Sequence, residues 1–268
     1  MIYQVNSEIQ LNKSSYVPVT KGSTVYYGGS QMWFSNKHKL SKDYIIHHYG
    51  CGTIAMADLF LYMANKSYVY TTPITEGIIK DADYAYYTDY MSYVRKINTY
   101  YTKTRPFIAV LGPRLAFAFN SYAKKYQFNL RARWELTLSY YDMLENIEEM
   151  LYYDIPIILS IGPNTPKLWG KKGITFYHGD VIKDTDDKKD KYDSLINPVL
   201  YKLNPVRNNI NSHYVTVTGI YRMKYKSKKT TVLGISSWGK QYYINYNEYR
   251  DYIDTTGGTF TSSMLYIR

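Results

Sequence analysis

The spacing of apolar residues changes once along this chain, near residue 155, and that change limits the folds open to it. Before it, apolar residues recur at helical intervals. Ile54, Met56, Ala57, Leu59, Phe60, Leu61, Met63 and Ala64 form the densest run, dense enough for a helix buried on most sides. Asp58 is the one charge inside it. Further helices are predicted over Asp81 to Tyr101, Gly112 to Gln127 (with Pro113 in the first turn, where proline is tolerated) and Tyr140 to Asp154. In the last of these, Met143, Leu144, Ile147, Met150 and Leu151 share one face.

After residue 155 the runs are short. "IPIILSIG" (Ile155 to Gly162) reads as a buried strand stopped by Gly-Pro. "HYVTVTGIY" (His213 to Tyr221) and "TTVLGISSW" (Thr230 to Trp238) alternate as strands, and the polar stretch between them makes an antiparallel hairpin. Helices first and strands later point to an α+β fold. Residues 1–30 mix Val, Tyr, Thr and Gly and read as an extension of short strands and turns. The polar residues 164–211 read as a long loop insertion in a single domain spanning 1–268. Within that loop Asp184, Asp186, Asp187 and Asp190 cluster, but the glycine and terminal glutamate of a calcium-binding EF-hand loop are missing. No metal or cofactor is expected.

The chain carries a net charge of +11 and 34 tyrosines among 268 residues. Its lysines are scattered, with short clusters such as "KYKSKK" (Lys224 to Lys229), so the charge reads as general basicity and no nucleic-acid motif accompanies it. No run of about 18 apolar residues is present, so no transmembrane segment is expected. The first residues lack the basic-then-apolar pattern of a signal peptide, and a cytoplasmic location is expected.

Cys51 is the only cysteine, so no internal disulfide and no thiolate zinc site can form. It sits between Gly50 and Gly52 at the start of the densest apolar run. Two readings fit that place. A helix N-terminus favours negative charge and so favours a thiolate nucleophile; the flanking glycines let a substrate backbone approach, and the Cys51 N–H can face a developing oxyanion. Alternatively, Cys51 is a small buried core residue. A nucleophile needs a base. Of the five histidines, His47 and His48 are too close in sequence to aim at the same atom, His38 and His178 lie in polar segments, and His213 begins a strand. If the hairpin turns near Tyr225, His213 lies opposite the neighbourhood of Ser237, and either Ser236 or Ser237 can hold its imidazole while Trp238 screens the contact from water.

Together, "GCGTIAMADLFLYM", "IPIILSIG", "HYVTVTGIY" and "SSWGKQYYINYNEYRDYI", in that order from about Gln31 onward, resemble a papain-like cysteine peptidase, and within that family the branch of bacteriocin-processing, double-glycine peptidases. The resemblance implies a papain-like fold, with the nucleophile helix of an N-terminal helical part packed against a C-terminal antiparallel sheet. It implies Cys51 as nucleophile and His213 as base then acid, working as a thiolate–imidazolium pair through an acyl-enzyme on a peptide or protein substrate. Two positions depart from the family. Ser236 or Ser237 stands where papain-like enzymes carry Asn and the double-glycine branch Asp. Ile45 stands six residues before the cysteine, where the family has its oxyanion glutamine; Gln31 is the candidate replacement, with His47 or His48 as other donors. A non-catalytic peptide-binding module and a cell-wall amidase are the alternative functions.

Overall fold

The computed structural model describes residues 2–39, 41–80, 83–162, 173–182, 199–256 and 261–268. The architecture is mixed α+β, but the order is not helices first and strands later, since strands also precede residue 155 and, among the described residues, one helix follows it. Six α-helices lie among the described residues: α1 (Lys42–Tyr49), α2 (Cys51–Lys66), α3 (Tyr87–Ile97), α4 (Gly112–Lys125), α5 (Tyr140–Tyr152) and α6 (Tyr246–Thr256). The strands are β1 (Ile2–Gln10), β2 (Pro18–Lys21), β3 (Thr24–Tyr27), β4 (Ala85–Tyr86), β5 (Ala132–Glu135), β6 (Ile157–Ile161), β7 (Ile174–Ile182), β8 (Leu200–Ile210), β9 (His213–Tyr225), β10 (Lys228–Ser237), β11 (Lys240–Asn245) and β12 (Met264–Ile267).

Nine strands form one antiparallel sheet in the order β1-β8-β7-β11-β10-β9-β6-β12-β5. β1 also pairs β9, so the first six close into a ring. Closure removes the exposed edges that six open strands would carry. The interior holds Leu203, Tyr221, Met223, Val232 and Tyr243, with Tyr201 packed beside them. Gly219 and Gly234 pair across the β9–β10 ladder; a Cβ on Gly234 would lie 2.9 Å from the Tyr221 ring, so a side chain there would displace the tyrosine that fills the ring.

This ring corrects two expectations. Residues 164–211 are not one polar loop, because β7 and β8 are two staves of the ring. Their polar composition follows from facing solvent on one side while only Leu203 of β8 is fully buried. β1 is likewise part of the ring rather than an extension, while β2 and β3 pair in a separate small sheet with β4. The aspartate cluster at 184–190 lies outside the described residues.

β9 continues past the ring to β6, and through it to β12 and β5. α2 packs on this extension with every residue from Gly52 to Met63 buried, held between β9 and β6 on one side and α3 and α4 on the others. The predicted face of α5 points inward: Met143, Leu144, Ile147, Met150 and Leu151 are all buried. The helix expected from Asp81 begins only at Tyr87, because Ala85 and Tyr86 pair with β2, and it runs on as a wider π-helical turn over Asn98–Thr102.

Candidate active site

Cys51 opens α2, and Gly50 makes that start possible. α1 ends at Gly50, whose N–H donates to the Ile46 carbonyl at 2.8 Å. A Cβ on Gly50 would lie 2.3 Å from that oxygen, so only glycine lets α1 stop and α2 begin one residue later. The short helix α1 was missed by periodicity; its signal was the cap, Ser41, whose side chain accepts from the Tyr44 N–H.

The sheet brings the second group to the same place. His213 begins β9, paired with Ile161 of β6. Cys51 and His213 line one cavity, together with Gln31, Asp58, Ser236 and Ser237. The backbone N–H groups of Tyr214, Gly52 and Cys51 itself all act on the Cys51 sulfur. The contact from Tyr214 ties the start of α2 to β9 one residue beyond His213.

The two serines separate by geometry. Ser237 Oγ lies 2.8 Å from His213 Nε2. Ser236 Oγ instead donates to the Tyr27 carbonyl at 2.9 Å. The counted register put paired residue numbers at a sum near 450. The ladder runs Thr230↔Met223 to Gly234↔Gly219 and shifts by one residue before Ile235↔Val217, so the sums are 453 and then 452. Ser237 reaches His213 at the end of the hairpin. There Trp238 (φ 49°) and Gly239 (φ 74°) both take left-handed backbone, the tight turn that joins β10 to β11. Tryptophan rarely occupies that region, and here it brings the indole against the imidazole: the ring centres are 4.5 Å apart and the planes 17° from parallel.

Gln31 sits in a short 3₁₀ turn capped by Ser30. Its Nε2 donates to the His47 carbonyl at 2.9 Å, which uses one of its two amide hydrogens and leaves the other for a ligand in the cavity. His47 takes part through its carbonyl, and the described contacts of His48 are ring packing with Tyr44, His47 and Tyr49.

Asp58 is the site residue that the sequence pattern left unassigned. It follows Cys51 by seven positions, so Cys51, Ile54, Ala55 and Asp58 fall on one helix face and all line the cavity. The carboxylate is buried, accepts from the Gly29 N–H at 2.9 Å and from the Tyr90 hydroxyl at 2.6 Å. It therefore holds the glycine turn that leads to Gln31. The Gly29 carbonyl in turn accepts from the Gly239 N–H at 2.8 Å. One chain of contacts thus links α2, the Gln31 turn and the Trp238 turn.

Electrostatics sets the resting protonation. Burial pushes the Cys51 thiol above its ordinary value, against the three backbone N–H groups that pull it down. Burial, and then the Arg207 charge, lower His213 to about 3. Both effects act against the charged form of the group they concern. Burial also raises Asp58 to about 7, against the Tyr90 and Gly29 donors.

Among the described residues no group of three or more His, Cys, Asp or Glu side chains is placed to hold a metal ion, and no helix is long and apolar enough to cross a membrane. No protein-family model, no curated protein and no solved structure matches this chain.

Proposed function

We propose that this protein is a cysteine-dependent hydrolase of peptide or isopeptide bonds, with a papain-like arrangement of a nucleophile helix against an antiparallel barrel. The observation that carries the reading is the His213 Nε2–Ser237 Oγ contact of 2.8 Å inside the cavity that Cys51 and Gln31 also line. With Nε2–H donating to Ser237, the unprotonated Nδ1 is the nitrogen that serves as base.

The steps follow from these placements. Cys51 Sγ attacks the substrate carbonyl carbon while His213 Nδ1 takes the thiol proton. The negative oxygen of the tetrahedral intermediate faces the Cys51 N–H and the free amide hydrogen of Gln31. His213 passes its proton to the leaving amine as the C–N bond breaks, and a thioester remains on Cys51. Water, deprotonated by His213, then attacks the thioester; the carboxylic acid leaves and the thiol is restored. With burial acting against the charged form of both groups, proton transfer accompanies attack instead of preceding it. Serine in place of a carboxylate suits this order, since it orients the ring without stabilising imidazolium by charge.

The test is cleavage of a mixed peptide library read by mass spectrometry. Cleavage by the wild type and none by Cys51→Ala, with unchanged circular dichroism, supports the reading. Equal cleavage by both removes Cys51 from the chemistry.

A second reading, a non-catalytic peptide-binding module, is favoured by burial acting against the charged forms of both Cys51 and His213. It is distinguished by library peptides that bind and are released intact.

A further inference from the structure

Arg207 stands beside the candidate site in a way the hydrolytic steps do not use. It lies on β8 opposite Phe176 of β7, and its guanidinium carbon is 4.5 Å from the centre of the Trp238 ring. Trp238 is stacked on His213, and Phe176 packs on Trp238 at 5.6 Å. The arginine side chain is thus laid on the indole that covers the imidazole, while the residue itself is exposed. Among the described residues it takes part in no ion pair. A guanidinium fixed by stacking keeps its planar fork of N–H donors for another group, and carboxylate is the group whose geometry matches that fork.

We infer that Arg207 is a specificity-determining residue that receives a carboxylate of the substrate next to the bond cleaved at Cys51; the inference rests on the hydrolase reading above. Its position also gives the contact a chemical consequence. The Arg207 charge disfavours imidazolium at His213. A bound carboxylate offsets that charge, so a matching substrate eases the proton transfer that attack requires. An acidic side chain and a free C-terminal carboxylate present the same chemistry and differ only in reach.

The experiment uses three cysteine-directed probes on the full chain: bromoacetyl-glycyl-glutamine amide, bromoacetyl-glycyl-glutamate amide and bromoacetyl-glycyl-glycine with a free carboxylate. In each case Cys51 Sγ displaces bromide, a thioether forms and the thiol proton leaves to His213 or solvent. Labelling rates are read by intact mass, and the neutral probe is the reference within each protein, so a general change in thiol reactivity cancels. At least one anionic probe is expected to label the wild type about threefold faster than the neutral one, the size of one exposed ion pair, and the preference is expected to shrink with added salt. Arg207→Gln is expected to lose the preference and Arg207→Lys to keep part of it. Faster labelling by the glutamate probe alone identifies a side-chain carboxylate, and by the glycine probe alone a terminal one. Equal ratios in wild type and Arg207→Gln, with Cys51 still labelled, overturn the Arg207 assignment and leave the hydrolase reading in place. Labelling of Cys51 only after unfolding overturns both.

Discussion

His213 Nε2 and Ser237 Oγ lie 2.8 Å apart, and under the proposed hydrolase reading this contact leaves Nδ1 as the nitrogen that acts on Cys51. Ser237→Ala removes the orienting hydrogen bond and is expected to slow Cys51 alkylation near neutral pH by about five- to tenfold, the worth of one net hydrogen bond. Ser237→Asp is the sharper variant. A carboxylate there stabilises imidazolium, so His213 titrates at higher pH and the acid limb of the alkylation rate profile moves upward. Ser236→Ala, which cuts only the bond to the Tyr27 carbonyl, is expected to leave that limb in place and to lower stability by about 1 kcal/mol in urea unfolding.

Gln31 separates thiol activation from oxyanion stabilisation. Gln31 lines the cavity but has no part in the proposed Cys51–His213 proton transfer. Gln31→Ala is expected to reduce kcat on a cleaved library peptide by about 10²–10³, the usual cost of one oxyanion donor. The same variant should alkylate at nearly the wild-type rate. A parallel fall in both would place Gln31 in the fold of the site instead.

Asp58 makes a prediction about stability and pH. Its folded value is about 7 against an ordinary 3.8, so between those values the folded state holds a proton that the unfolded state has released. Stability from this group is present below about pH 4 and is lost as pH rises towards 7, by at most about 4 kcal/mol for a shift of this size. His213 acts in the opposite sense, since its value is lowered to about 3; its contribution is gained as pH rises from about 3 to 6.5. Comparing Asp58→Asn with wild type isolates the first effect. The stability difference between the two is expected to shift in favour of the variant from pH 4 to pH 8, measured by urea unfolding at each pH.

Two helices were legible from burial, α5 through its five apolar positions on one face and α2 through the dense run after Cys51, whereas α6, rich in Tyr and Asp, was not predicted. α1 was not, because eight residues carrying two histidines and few apolar positions leave no period to count. β7 and β8 failed for a different reason. Strands of a closed ring expose one side, and β8 places Lys202, Asn204, Arg207 and Asn208 among its residues, so composition resembles a loop while pairing is set by partners distant in sequence. The same distance hid Arg207. In the site, Cys51 and His213 followed from residue type and order, but the choice between Ser236 and Ser237 depended on a one-residue register shift in β10 and on the left-handed backbone of Trp238. Neither can be counted from the sequence. Asp58 was legible in principle, as the seventh residue after Cys51 on the same helix face.

The claim on which all of this depends is that His213 serves as the base for Cys51. The direct measurement is the rate of Cys51 alkylation by iodoacetamide at pH 6, by intact mass, in wild type and His213→Ala, both checked for folding by circular dichroism. A raised thiol without a base is nearly inert at that pH. The wild type is therefore expected to react at least about tenfold faster than the variant, within the range that general-base assistance supplies. Equal rates in the two folded proteins would contradict it.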